Sequence, residues 1–530
     1  MNEVKYFDSF AFIGKRPLED PVELWSAAHV KELMERCSIH AALVYHTLAR
    51  EYNPNIGNQL MLGEMKKNPR FYGCYVAMPH HTGEMAHPDE WVNQLRGRNF
   101  YAVKIFPSTH QYNLDERTVG GLCSALEKAG IPLLIDINET DFEKLEFLLK
   151  SFPNLPILAQ QLYWSQSRKV IPSFREYRNL YIEFSSYQGH WMLEWYCENF
   201  GCDRLLFGSE MPLKLPGAAR SYIDYADLTL TQKQMIASGN LMRLLRIDRI
   251  PDLPEQRCDS ILSRVKRGEP LSHLTVIDAH AHVSHDNATG ASPVFMPYSD
   301  PGIMLKKFDR MGVQQILVSS WLGIWQDSVL GGELMLKLMQ KYPDRYVPYA
   351  TIDPNFRSDE EIAADIQLYH HKHRFPGIKP YYPRWQYRLT GEKLAPWFQY
   401  GNDHSLFALI HYDKETTIED LKTLAPKYPN LMFIVAHSGS SYKEARKLIE
   451  LAGKYSNIFL ELTFTTVFCN VIELLCQEVG AERVLFGTDA PMRDPAPQLG
   501  WVAYAQISEE AKRMILGENI QIILKRTFSK

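Results

Sequence analysis

Glu482-Arg483-Val484-Leu485-Phe486-Gly487-Thr488-Asp489-Ala490-Pro491 is the stretch on which the fold turns, because Asp203-Arg204-Leu205-Leu206-Phe207-Gly208-Ser209-Glu210-Met211-Pro212 repeats it in the first half of the chain. Each is a short apolar run, broken by glycine and followed by a carboxylate and a proline, the pattern of a buried strand ending in a turn. Working outward, the two halves stay in step. Val276-Ile277-Asp278-Ala279-His280-Ala281-His282 answers Tyr6-Phe7-Asp8-Ser9-Phe10-Ala11-Phe12, and Phe375-Pro376-Gly377-Ile378-Lys379 answers Phe100-Tyr101-Ala102-Val103-Lys104. Leu406–His411 answers Ile131–Asp136, Asn430–His437 answers Asn154–Gln161, and Asn519 answers Asn240. The offset drifts only between about 270 and 279 residues. A period this long marks a duplicated domain, not a solenoid repeat.

Within the second half, eight strands are expected at Thr275–Asp278, Gln315–Ser319, Tyr346–Ile352, Gly377–Pro380, Phe407–His411, Met432–Ala436, Ile458–Glu461 and Val484–Phe486. Segments of helical spacing separate them, among them Gly332–Lys341, Glu360–His370, Ile418–Ala425 and Tyr442–Leu451. Eight strands alternating with helices over roughly 260 residues suit a (β/α)8 barrel. An open doubly wound sheet is the rival, but no glycine-rich phosphate turn follows the first strand. The expected fold is therefore α/β, two tandem (β/α)8 barrels. The first barrel takes residues 1–248 and the second 273–530. The proline- and charge-rich stretch 249–272, with Pro251, Pro254 and Pro270, reads as a linker carrying one short helix at Ser260–Lys266.

At 530 residues the chain is long enough to bury two cores. A formal net charge of −4, with dispersed lysines and arginines, argues against a nucleic-acid or membrane-surface partner. The eight cysteines include no Cys-x-x-Cys pair and are too sparse for a disulfide scaffold. Met1-Asn2-Glu3-Val4-Lys5 lacks the basic start and apolar run of a secretory signal, and no spanning segment is visible. A cytoplasmic enzyme with a small-molecule substrate is expected, the two halves forming a pseudo-dimer within one chain, with further homo-oligomers compatible with that reading.

In a barrel, chemistry gathers at the carboxyl ends of strands. In the second half those ends carry His280 and His282 on strand one, Lys379 on strand four, His411 on five, His437 on six and Asp489 on eight. Histidines at i and i+2 on a strand point the same way and can grip one ion. Imidazoles and a carboxylate gathered in this way suit zinc, although manganese or another transition ion is also compatible.

These motifs, with Ala436-His437-Ser438-Gly439 and Phe486-Gly487-Thr488-Asp489-Ala490-Pro491, make residues 271–530 resemble the amidohydrolase superfamily of metal-dependent barrels, specifically its amidohydrolase 2 branch. The branch contains lactonases, other hydrolases and non-oxidative decarboxylases, including those acting on aminocarboxymuconate semialdehyde. The resemblance implies that His280, His282, His411 and Asp489 bind one divalent ion, with His437 beside the bound water. The ion would acidify its water and polarise a carbonyl, Asp489 would carry the proton, and His437 would steady the oxyanion.

Lys379 either bridges a second ion as a carbamate or, as favoured here, binds an anionic substrate group. Tyr381, Arg384 and Arg493 are further substrate-binding candidates. Trp321, Trp325, Tyr412 and Glu461 lie near strand ends and are weaker ones. The expected function is hydrolysis of a small carboxylated lactone, ester or amide. Non-oxidative decarboxylation is the alternative, and a non-catalytic binding or scaffold role the alternative of another class. In the first half the ligand slots read Phe10, Phe12, Asp136, Gln161 and Glu210, which marks that copy as catalytically silent.

Overall fold

The computed structural model describes residues 4–17, 25–253, 258–464 and 466–529. Pro254 of the expected linker and Met1–Glu3 lie outside the described residues. The chain divides into two compact units. One comprises Met1–Gln188, Met192–Arg257 and Pro293–Phe295, the other Gly189–Trp191, Cys258–Ser292 and Met296–Lys530.

The first unit is an eight-stranded parallel sheet whose strands follow chain order. They are Phe7–Ile13, Ala41–His46, Phe71–Ala77, Phe100–Ile105, Leu133–Asp136, Ile157–Gln160, Leu180–Glu183 and Leu205–Leu206. The amides of Ser9 and Phe12 donate to the carbonyls of Phe207 (2.9 Å) and Met211 (3.0 Å), bringing the end of the sheet back onto its first strand. The result is a nearly closed barrel with helices between successive strands. Phe7, Leu43, Val76, Ala102, Leu134, Leu158 and Leu206 fill its core. Cys197 and Cys202 are joined by a disulfide in this unit.

In the second unit a three-stranded parallel sheet holds Ile277–Val283, Gln315–Ser320 and Tyr346–Pro348. A six-stranded parallel sheet runs from Ala350–Ile352 through Gly377–Pro380, Phe407–Ile410, Met432–Val435 and Ile458–Glu461 to Val484–Leu485. The single strand expected at Tyr346–Ile352 is thus two. Residues up to Pro348 pair with Gln315–Ser320, the Tyr349 amide closing that ladder on the Val318 carbonyl at 3.0 Å, and Ala350–Ile352 pair with Gly377–Pro380 on the other side, where Pro348 has no amide hydrogen to give. At the far edge the Ala279 amide donates to Phe486 O at 3.0 Å. Helix Ser260–Lys266 forms where the sequence places it, capped by Asp259, with Ile261, Leu262 and Val265 buried. The helix expected over Glu360–His370 is α-helical only at Asp359–Ile366 and continues as a π-turn over Gln367–Lys372.

Several devices occur in both units. Asn179 Nδ2 contacts the carbonyls of Leu149, Phe152 and Leu155, and Asn457 Nδ2 those of Ala425, Tyr428 and Leu431, all within 3.2 Å. Asn240 and Asn519 hold the turn before the last strand in the same way, each following a π-turn. Non-glycine residues enter the left-handed region at matched places, Gln161 (φ 55°) and His437 (φ 64°), then Glu210 (φ 62°) and Asp489 (φ 61°). Among the described residues no helix is long and apolar enough to cross a membrane. Asn457→Ala leaves three buried carbonyls short of a donor, and urea denaturation should show the chain destabilised by about 1–3 kcal/mol.

Candidate metal centre

The centre is built from the junction of the first and last strands of the second unit. Asp278, fully buried, accepts from the His280 amide (3.0 Å), the Thr488 amide (3.1 Å) and Thr488 Oγ1 (2.5 Å). The backbone completes the seam: the Asp489 amide donates to His280 O and the His282 amide to Ala490 O, both at 2.7 Å. Gly487 is required at this junction. A Cβ there would lie 2.3 Å from Glu461 Oε1 and 2.9 Å from the His280 Cβ. The left-handed turn at Asp489 then aims its carboxylate back at the two histidines.

Asp489 Oδ1 lies 3.0 Å from His282 Nε2 and 3.6 Å from His280 Nε2. Behind the nitrogens that face Asp489, His280 Nδ1 meets Glu461 Oε2 and His282 Nδ1 meets Ser319 Oγ, each at 2.9 Å. His411, half-buried, sets its Nδ1 3.2 Å from His437 Nε2, and His437 Nδ1 lies 2.7 Å from Thr463 O. Lys379 is buried with Nζ 3.4 Å from His280 Nε2.

Burial strips the charge from all four imidazoles. His437 is pushed down to about 4, and His280, His282 and His411 also fall, with the Lys379 charge adding to the effect. Burial would raise Asp489, but its hydrogen bond with His282 and the Arg493 charge outweigh that and hold it well below the usual carboxylate range. Burial lowers Lys379 to about 8, against the pull of Asp489 and Glu461, and raises Glu461 to about 7.

These neutral imidazoles beside an ionised carboxylate fit a divalent cation. The decisive detail is Asp489 Oδ2, buried and without a hydrogen-bond partner among the described residues. Two groups of side chains stand close enough to share an ion, His280–His282–Asp489 and His280–His437–Glu461. The first is the better ligand set, because both Glu461 oxygens are already occupied by the Thr463 amide (2.6 Å), His280 and the His437 amide (3.4 Å).

Of the substrate candidates, Tyr381 stacks edge-on to His411 at 5.2 Å, and Arg493 Nη2 reaches Asp489 Oδ2 at 3.7 Å. Arg384 is exposed and lies over the Trp325 ring, its Nε on the Trp325 carbonyl at 2.9 Å, so it is not gathered with the ligands. Trp321 packs 4.8 Å from His282 and stacks on Trp325. Tyr412 is tied to Glu444. Sequence reasoning missed Ser319 and the Thr463 carbonyl. Ser319 carried only its place at a strand end as a signal, and a backbone carbonyl carries none.

The corresponding slots of the first unit are self-satisfied. Lys104 Nζ donates to Asp136 Oδ1 (2.6 Å) and Gln160 Oε1 (2.8 Å) and lies over the Phe10 ring. Glu210 accepts from Gln161 Nε2 (2.6 Å) and pairs with Lys214 (2.9 Å).

A model of the amidohydrolase family matches residues 40–247 and, a second time, residues 277–525. The chain belongs to the amidohydrolase family. Solved structures similar to this amidohydrolase include 2,6-dihydroxybenzoate decarboxylase from Rhizobium (14% identity, TM-score 0.38, covering 48% of this chain and 99% of that one). Others are 5-carboxyvanillate decarboxylase from Sphingomonas paucimobilis (16%, 0.39, 48% and 99%) and 4-oxalomesaconate hydratase from Rhodopseudomonas palustris (16%, 0.38, 48% and 96%). No curated protein matches the chain.

Proposed function

We propose that this amidohydrolase arose by internal duplication of a barrel, and that its second unit is a metal-dependent hydrolase of a small carboxylated lactone, ester or amide. The observation that carries this reading is the convergence of His280, His282 and Asp489 around one point, with a buried Asp489 oxygen left without a hydrogen bond among the described residues. His280, His282, His411 and Asp489 would hold the ion, zinc being the metal that best suits that donor set. Bound there, it supplies Lewis-acid polarisation of a carbonyl and a lowered water pKa. Asp489, ionised within reach of the centre, takes a proton from the attacking water and returns it to the leaving group. Lys379 and Arg493 supply positive charge for a substrate carboxylate, and the buried walls exclude bulk water.

Non-oxidative decarboxylation is the second reading. It is favoured by the stacked Trp321–Trp325 pair beside His282, whose indole N–H groups are buried without partners among the described residues. A flat carboxylated ring would stack on that wall. Assaying the metal-loaded chain on carboxylated lactones and esters in parallel with hydroxylated aromatic carboxylates separates the two. Acid release marks the first and carbon dioxide release the second.

Elemental analysis after dialysis should find about one equivalent of transition metal per chain, and the double variant His280→Ala/His282→Ala should find almost none. Full stoichiometry in that variant rules the assignment out. Asp489→Asn should stay folded and lose about 10²–10⁴-fold in kcat. The first unit we propose to be silent. Asp136→Asn, which strands the buried Lys104 ammonium, should cost about 3 kcal/mol of stability on denaturation and leave kcat/KM of the folded protein unchanged.

A further inference from the structure

We propose that the end of strand Ile458–Glu461 with the two residues after it, Glu461 to Thr463, is a positioning element that fixes the tautomers of the metal-facing histidines, and that His437 acts as a relay in it. The inference rests on the metal-centre reading above and names residues that reading leaves without a role.

A neutral imidazole carries one N–H, so a partner that can only accept decides which nitrogen bears it. In its carboxylate form Glu461 can only accept, so its Oε2, 2.9 Å from His280 Nδ1, takes a hydrogen bond from Nδ1–H and leaves His280 Nε2 as a bare lone pair facing Asp489. The Thr463 carbonyl can only accept, so His437 Nδ1, 2.7 Å away, must be the donor. His437 Nε2 is then bare and can only accept. The nitrogen 3.2 Å from it, His411 Nδ1, must therefore donate, which leaves His411 Nε2 bare as well. One strand end, three residues long, thereby sets two ligand lone pairs, one directly and one through His437. With both ring nitrogens engaged in this way, His437 holds His411 instead of donating to an oxyanion.

The first unit supplies an internal control. Glu183 stands in the place of Glu461 and makes the same backbone contacts, accepting from the Gln161 amide (2.9 Å) and from the Ser185 amide (2.5 Å) and hydroxyl (2.9 Å). The contact that Glu461 has and Glu183 lacks is the imidazole, since Phe10 occupies the His280 slot. Capping the strand-end amides is thus a role common to both carboxylates, and orienting a ligand is peculiar to Glu461. A glutamine at 461 offers one acceptor oxygen where two are used, so either the Thr463 amide or His280 Nδ1 loses its acceptor.

The test is zinc and cobalt affinity of the full-length protein by chelator competition, with the visible spectrum of the cobalt form. Glu461→Gln should weaken metal binding about 10–100-fold and alter the cobalt spectrum. His437→Phe should weaken it likewise, and Glu183→Gln should leave it within about threefold of wild type, a margin set by the few-tenths-of-a-kcal/mol scatter between independent sites. Should Glu461→Gln fail to fold, Glu461→Asp, which keeps two acceptor oxygens one methylene further back, should show a smaller weakening in the same direction. Wild-type affinity in the Glu461 variants, or equal losses in Glu183→Gln, overturns the inference. Unchanged affinity in His437→Phe with a fall in kcat overturns the relay. A wild-type chain that binds no metal instead sinks the underlying reading, and this inference with it.

Discussion

The Asp278 carboxylate is the contact on which the site depends. It sits in the first strand of the second unit and takes three hydrogen bonds, from the amide of His280 and from the amide and hydroxyl of Thr488. Those donors belong to opposite ends of the sheet order, so one buried side chain ties the strand carrying two candidate ligands to the turn carrying the third. Burial raises the Asp278 pKa well above its ordinary value, and the three donors oppose that rise. Asp8 repeats the device in the first unit with Phe10, Ser209 and the Ser209 hydroxyl. The seam is architectural first, because the first unit has it too, with Phe10 in the slot of His280.

The same separation of scaffold from chemistry runs through both units. Left-handed residues, carbonyl-gathering asparagines and strand-end carboxylates recur at matched positions, while the side chains they aim have diverged. Backbone conformations that disfavour a Cβ cost about a kcal/mol each and persist only where surroundings enforce them. At Gln161 and His437 the enforcing partner is the carboxylate from the next strand, which accepts the amide of the left-handed residue.

Much of this was legible in the sequence because strand ends are written in residue types. Gly377–Pro380 and Ile458–Glu461 form over the expected residues, since glycine, proline and continuous apolar runs punctuate them unambiguously. Helix Ser260–Lys266 forms over the residues expected within the linker, and its Asp259 cap became evident only in the fold. Tyr346–Ile352 was read as one strand because periodicity does not register the donor that Pro348 lacks. The π-turn at Gln367–Lys372 escaped because one extra residue per turn barely disturbs a helical pattern. Within the site, the identities of His280, His282 and Asp489 announced themselves. What holds them did not, for Ser319 and the Thr463 carbonyl act through directions that only a folded chain defines. Arg384 was read as a substrate ligand on residue type alone, which carried no sign that the fold lays its guanidinium over the Trp325 ring.

The Lys104 ammonium has a consequence for how the two units meet their surroundings. It neutralises Asp136 from inside and rests on the faces of Phe10, Tyr45 and Phe106, so the first unit carries its own counter-ion, covalently attached and always present. Its core charge balance is indifferent to which ions the surrounding solution contains. In the second unit Asp489 Oδ2 has no hydrogen-bond partner among the described residues and faces only the longer ion pair with Arg493, at 3.7 Å. The chain thus joins a half whose buried charges are paired from within to one whose ligand-like carboxylate keeps an oxygen without a hydrogen bond, and on the proposed metal-binding reading metal scarcity acts on only one of them.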